Sequence, residues 1–288
     1  MTATFEEKSY EQYFNVELAE RSSIFFPLGQ VQEGKLGFDA GSFSRNRRFW
    51  RHLGFPHWFF PHFDGADLRE LADEMEHYLG IALDHIPRMK SNLLFQYKRP
   101  EYIGEPTGKE WNNWNTPYYR YDIYKEQQDL LFHLSKKFGD RVLILYACPA
   151  THNVHELVDF YKDGQVILNS NFRKASELQG HDRNTYVKAG TYSIACSDPE
   201  RFENFDLIKT IENFKRENNE RSDNNRLFII NFRKLLLENL NETEYANSLR
   251  KLNEEIEYYI NFPLLYSFLV LTNFKTLTGI QWLVTVEK

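Results

Sequence analysis

Cysteine is nearly absent from this 288-residue chain. Two residues, Cys148 and Cys196, can build neither a disulfide framework nor a cysteine-rich zinc site. Glycine (14) and proline (10) are too few for a collagen-like or low-complexity chain. There is no GxGxxG and no GxxxxGK[ST], which removes ATPase, kinase and nicotinamide-dehydrogenase readings. No GxSxG argues for an α/β-hydrolase, and no HExxH argues for a metalloprotease. Positive charge is not in excess: 35 Lys and Arg face 41 Asp and Glu, for a net −6. A uniformly basic nucleic-acid coat is excluded, while a local basic patch is not. Long hydrophobic runs are missing too. The most apolar late stretch, FPLLYSFLVLT at 262–272, covers about half of the ~20 residues a bilayer demands. The first residues, MTATFEEKSYEQYF, lack the basic start and apolar run of a signal peptide. The expectation is a soluble, cytoplasmic protein with no membrane partner.

What is present is a large aromatic and apolar content, with 24 Phe and 17 Tyr among 42% hydrophobic residues, enough for a sizeable core. Residues 5–22 read as an amphipathic helix. Residues 24–40 are punctuated by Pro27, Gly29, Gly34 and Gly37 and lead into a strand near 37–40. Residues 64–80 read as a helix with Leu68, Leu71, Met75 and Leu79 at helical spacing and Gly80 as its stop. The strand NLLFQYK (92–98) ends at Arg99-Pro100, and a polar loop with Trp111 and Trp114 follows. A helix over 125–138 leads to RVLILYAC (141–148), apolar on both faces and so covered on both in an α/β sheet. Weaker strands fall at 164–168 and 192–196. Residues 200–260 read as charged helices with a break at Asp223–Asn225, and GIQWLVTVE (279–287) closes as a strand. Without a Gly/Ser/Pro linker, one core with a helical extension is expected.

The segments QEGKLGFDA (32–40) and LLFQYKRPE (93–101) carry the chemistry. Gln96 and Lys98 are two apart on a strand and share a face. Asp39 ends a short strand-like piece. Joined across neighbouring strands, they give one carboxylate, one amide or backbone oxygen and one lysine, a set suited to phosphodiester hydrolysis on a divalent metal.

In these motifs and their order, the chain resembles the PD-(D/E)xK nuclease superfamily over roughly residues 5–150, in the QxK (Mrr-like) branch. The resemblance implies an α/β fold: a restriction-endonuclease-like mixed sheet flanked by helices, within residues 1–200. An insertion at about 44–91 and a helical extension over 201–288, ending in a strand, complete that layout. It implies Mg²⁺ or Mn²⁺ bound by Asp39 and, more weakly, Gln96, with Lys98 orienting water or stabilising charge. A first-helix glutamate often completes such sites; Glu17 and Glu20 are available, and Glu33 lies nearer Asp39 in the chain. The implied function is a metal-dependent deoxyribonuclease, an effector or subunit of a prokaryotic anti-phage or restriction system. The alternative is an inactive nucleic-acid-binding or scaffold subunit on the same fold. A wide gap of fifty-six residues between Asp39 and Gln96 departs from the family pattern.

A basic aromatic run supplies a DNA surface. Arg45, Arg47, Arg48 and Arg51 fall within seven residues around Phe49 and Trp50, with no acid from Ala40 to Phe63. Arginines contact phosphates and aromatic rings stack on bases; the bland reading pairs these arginines with acidic helices. His57 and His62, or His152 and His155, have spacings that zinc sites use, but capping and loop roles explain them as well. Finally, the apolar stripe of 226–260 (Leu227, Phe228, Ile229, Ile230, Leu235, Leu236, Leu252, Ile256) must be buried, on the core or across a subunit interface, and the expectation is a homo-oligomer or a protein partner held through these helices.

Overall fold

Strand-forming and helix-forming stretches alternate through the middle of the chain, and the computed structural model folds them into a mixed α/β protein with two sheets. It describes residues 1–25, 68–217, 224–241 and 243–287. Two compact units emerge. The first holds the described residues of Met1–Phe25, Lys90–Glu220 and Thr278–Lys288, the second those of Phe26–Met89 and Arg221–Leu277. This division does not follow the linear layout expected above. Described parts of the expected insertion and extension share one unit, and the terminal strand belongs to the other.

The first unit opens with helix α1 (Glu7–Arg21) and the two-residue strand β1 (Ile24–Phe25). Its main sheet adds β2 (Met89–Tyr97), β5 (Val142–Pro149), β6 (Ser170–Lys174) and β10 (Gln281–Val286) in the order β1-β10-β2-β5-β6. β2 and β5 run parallel, with Leu93 opposite Leu143 and Gln96 opposite Tyr146. Helix α4 (Lys125–Phe138) lies between them in the chain, as a parallel pair requires. Every residue of β5 is buried, which accounts for its unbroken apolar sequence. Alternation sorts β2 into two faces. Phe95 and Tyr97 meet Phe14 of α1 with ring centroids 5.8 and 5.5 Å away, whereas Gln96 and Lys98 bond to α4.

The second sheet is antiparallel throughout: β3 (Glu101–Ile103), β4 (Tyr118–Asp122), β7 (Arg183–Tyr186), β8 (Ser193–Cys196) and β9 (Glu200–Phe202), in that order, and helix α6 (Leu207–Glu217) follows β9 in the chain. The polar loop after β2 therefore holds a strand, and also the one-turn helix α3 (Trp111–Trp114). Residues 164–168 form turns rather than a strand, with Gly164 at φ 62°. The strand lies just beyond, at β6, whose sequence SNFRK looks too polar for a sheet interior. Arg173 is fully buried there because Glu203 O and Asn204 Oδ1 accept from its guanidinium at 3.0 and 3.3 Å.

In the second unit, helix α2 (Leu68–Asp84) packs with α7 (Asn225–Leu240), and α8 (Tyr245–Glu254) and most of α9 (Pro263–Thr278) complete it. Asn225 fastens α7 to the end of α2: its amide donates to Leu83 O and Ile86 O at 3.0 Å and accepts from Met89 N at 2.8 Å. Phe228, Ile229, Phe232, Leu236 and Leu240 are buried within this chain, so that part of the stripe needs no second copy; Leu227 stays exposed. The FPLLYSFLVLT stretch lies in α9, with Leu264, Leu265, Phe268, Val270 and Leu271 buried. Among the described residues no helix is long and apolar enough to cross a membrane.

Candidate functional site

The QxK pair sits at the C-terminal end of a strand inside the main sheet. Gln96 ends among the last residues of β2, and Lys98 follows with its backbone N–H still bonded to Ala147 O at 2.9 Å. Both side chains are almost fully buried, at 3% and 5% exposure. The Lys98 ammonium donates to Gln127 Oε1 at 2.8 Å and lies 4.8 Å from the Tyr124 ring and 5.7 Å from the Tyr146 ring. Gln127 Nε2 donates in turn to Gln96 Oε1 and to Thr278 O, each at 2.8 Å. Gln96 Nε2 is spent on Tyr97 O at 2.9 Å. Thr278 precedes Gly279, whose φ of 71° turns the chain from α9 into β10 beside Gln96.

Helix α1 brings acid to this site. Burial pushes the Glu7 carboxyl above its ordinary range, and the Lys98 charge pulls it partly back. Burial lowers the Lys98 ammonium, and Glu7 is the first charge opposing that. Glu11, one turn further along α1, is 8% exposed and ion-paired with Lys8 at 3.0 Å. Glu17 takes no part. It stands ten residues beyond Glu7, about 15 Å along the helix axis. Its carboxylate is held by Arg21 at 2.7 Å and by the Ile167 N–H at 3.1 Å. Glu20 is exposed.

Asp39, Glu33, Arg45, Arg47, Arg48, Trp50, Arg51, His57 and His62 lie outside the described residues. Both neighbours of β2 are nevertheless defined, and they are β10 and β5. Ser91 bonds Thr285 at 2.6 Å and the Trp282 indole donates to Asn92 at 2.9 Å, so β10 is tied to β2 through side chains as well. The expected Asp39 strand falls outside the described residues; among these, the strands beside β2 are β10 and β5. Among the described residues no three His, Cys, Asp or Glu side chains are grouped to hold a metal. Gln96 Oε1 already accepts a hydrogen bond, and the described carboxylates alone do not make the oxygen cage Mg²⁺ requires.

The remaining sequence candidates have structural roles. His152 stacks on Tyr102 with centroids 4.5 Å apart, and the cap of helix α5 (Val154–Lys162) is Asn153, which accepts from His155 N at 2.8 Å. Burial raises the Cys148 and Cys196 thiols, which leaves both poor nucleophiles. Cavities of about 430 and 400 Å³ are lined by other residues, among them Ile103, Gly108 and Lys109 in one and Ser135, Asp140 and Phe214 in the other.

A second charged cluster, not singled out from the sequence, lies on the antiparallel sheet. Glu110 receives Arg183 Nη1 at 2.6 Å, Tyr118 Oη at 2.9 Å and Arg120 Nη1 at 3.4 Å. Arg183 also pairs with Asp122 at 2.8 Å and Arg120 with Glu101 at 2.7 Å. Burial raises the Glu110 carboxyl, but the bonds from Arg183 and Tyr118 and the two guanidinium charges outweigh it and hold it below the ordinary range. Glu7 and Gln127 were likewise missed at the QxK site. Glu7 and Glu11 form an i, i+4 acidic pair on a helix, a signal that was available; Gln127 has none, because its partners come from other elements.

No family model, curated protein or solved structure matches this chain.

Proposed function

We propose that the chain is a metal-dependent deoxyribonuclease of the PD-(D/E)xK type, with a restriction-endonuclease-like core in its first unit. The observation that carries this reading is the arrangement around Lys98: a QxK pair at the end of β2, a parallel β5 reached through α4, and the charge of an α1 carboxylate, Glu7, acting on the lysine. Glu7 or Glu11 replaces Glu17 as the first-helix acid. The reading requires Asp39 to complete the oxygen set for Mg²⁺ or Mn²⁺, and it takes residues 45–51 as the surface that tracks the DNA backbone. A defence role in a prokaryotic cytoplasm follows from the resemblance alone.

A second reading, an inactive nucleic-acid-binding or scaffold subunit, is favoured by one observation: Gln96 Oε1, the amide oxygen offered to the metal, already accepts from Gln127 Nε2 at 2.8 Å. Incubating the purified chain with linear and supercoiled DNA and Mg²⁺ or Mn²⁺ separates the two. The nuclease reading expects products that vanish with EDTA and with Asp39→Ala. DNA binding without product, by folded protein with either metal, establishes the second reading instead.

A further inference from the structure

We propose that Gln127 is the positioning residue of this site, a single amide that fixes Lys98 and Gln96 together and latches both to the Thr278 carbonyl. The inference rests on the reading of Gln96 and Lys98 as a functional pair, and it names a third residue that no motif supplied.

All the capacity in use is on one side chain. The Gln127 oxygen accepts from Lys98, and its two amide hydrogens account for Gln96 Oε1 and Thr278 O, each contact at 2.8 Å. A buried ammonium can point three donors in many directions. Here Gln127 is the partner that orients it, with the Tyr124 and Tyr146 rings bounding the space. Among the described residues no carboxylate forms an ion pair with Lys98, so a neutral acceptor holds it and its charge is not cancelled at contact distance. The same amide takes one of the two lone pairs of Gln96 Oε1, so any ligand for that oxygen must share it with Gln127. The Thr278 bond ties the arrangement to the turn before β10, whose Gly279 lies beside Gln96. A residue of this kind, one step behind the reacting groups, typically changes activity by about 10–100-fold when removed.

The test does not need cleavage. The full chain is treated at one pH with a limiting acylating reagent, an N-hydroxysuccinimide ester, and each lysine is quantified by mass spectrometry. Lys90 and the exposed Lys125 serve as internal references. In Gln127→Met, which keeps the length and loses every bond, Lys98 acylation should rise several-fold relative to Lys90. In Gln127→Glu, which keeps an acceptor for Lys98 and loses the donors, Lys98 should remain as protected as in the native chain. The Gln96 side-chain amide resonance should shift in both variants. Unchanged Lys98 reactivity in a folded Gln127→Met protein overturns the proposal. Should that variant unfold, Lys98 in Gln127→Glu reacting as fast as Lys125 overturns it equally. A native chain that cuts no DNA defeats the nuclease reading and leaves this result standing.

Discussion

Two charged clusters sit in the first unit, and they use charge in opposite ways. Around Glu110, three acids and two arginines saturate one another through contacts of 2.6 to 3.4 Å. Around Lys98, the partners are an amide oxygen and two aromatic rings, and Glu7 acts without an ion pair. Carboxyl behaviour reports the difference. Glu110 is held below its ordinary range, while burial lifts Glu7 above it. A cluster that satisfies itself braces a sheet. A cation that, among the described residues, is held by neutral groups has charge left for an incoming anion, which is what a phosphate-handling site needs.

The largest expected effect separates activity from stability at Lys98. Lys98→Met should lower DNA cleavage at least about 100-fold, the scale of removing one charge-stabilising group. Its unfolding free energy in urea should stay within about 1 kcal/mol of wild type, because a buried ammonium without an ion pair among the described residues contributes little net stability. Glu110→Ala should do the reverse. It takes one of two carboxylate partners from Arg183 and from Arg120 and should cost about 2 kcal/mol in the same experiment. That is below the roughly 3–5 kcal/mol of a deeply buried pair, since these arginines keep 17% and 19% exposure. Equal losses in the two variants would erase the distinction between the clusters.

A smaller effect lies in the pH dependence. Glu110 has a folded pKa below its unfolded one, so its contribution is present above the ordinary carboxylate range. It disappears as pH falls through the depressed value. Glu7 is raised and has the opposite sign: it opposes folding above its folded pKa, and protonation relieves that cost as pH falls. Acid titration of stability should therefore show a shallower decline in Glu110→Gln and a steeper one in Glu7→Gln. The smallest change concerns DNA affinity. Arg47→Ala with Arg48→Ala should reduce the slope of log affinity against log salt by about 2, one unit for each lost phosphate contact. An unchanged slope removes residues 45–51 from the DNA surface.

Periodicity made much of the framework legible. The apolar alternation around Phe95 and Tyr97 and the continuous VLILYAC run mark β2 and β5 without ambiguity, and the stripe Leu130, Leu131, Leu134, Phe138 marks α4. β6 escaped because Asn171 and Arg173 are buried by specific polar partners, which no hydropathy pattern records. The division into units escaped for another reason: β10 joins a sheet nearly two hundred residues from β2, and only tertiary pairing reveals it. At the site, the two-residue spacing put Gln96 and Lys98 on one face. It carried no information about which helix would face them, so Gln127 went unseen.

The central claim is that Lys98 serves chemistry rather than stability. The most direct measurement is Mg²⁺- or Mn²⁺-dependent DNA cleavage by Lys98→Met beside the native chain, on samples with matched urea midpoints. The account predicts product from the native chain and almost none from the variant. Cleavage by Lys98→Met at the native rate would contradict it.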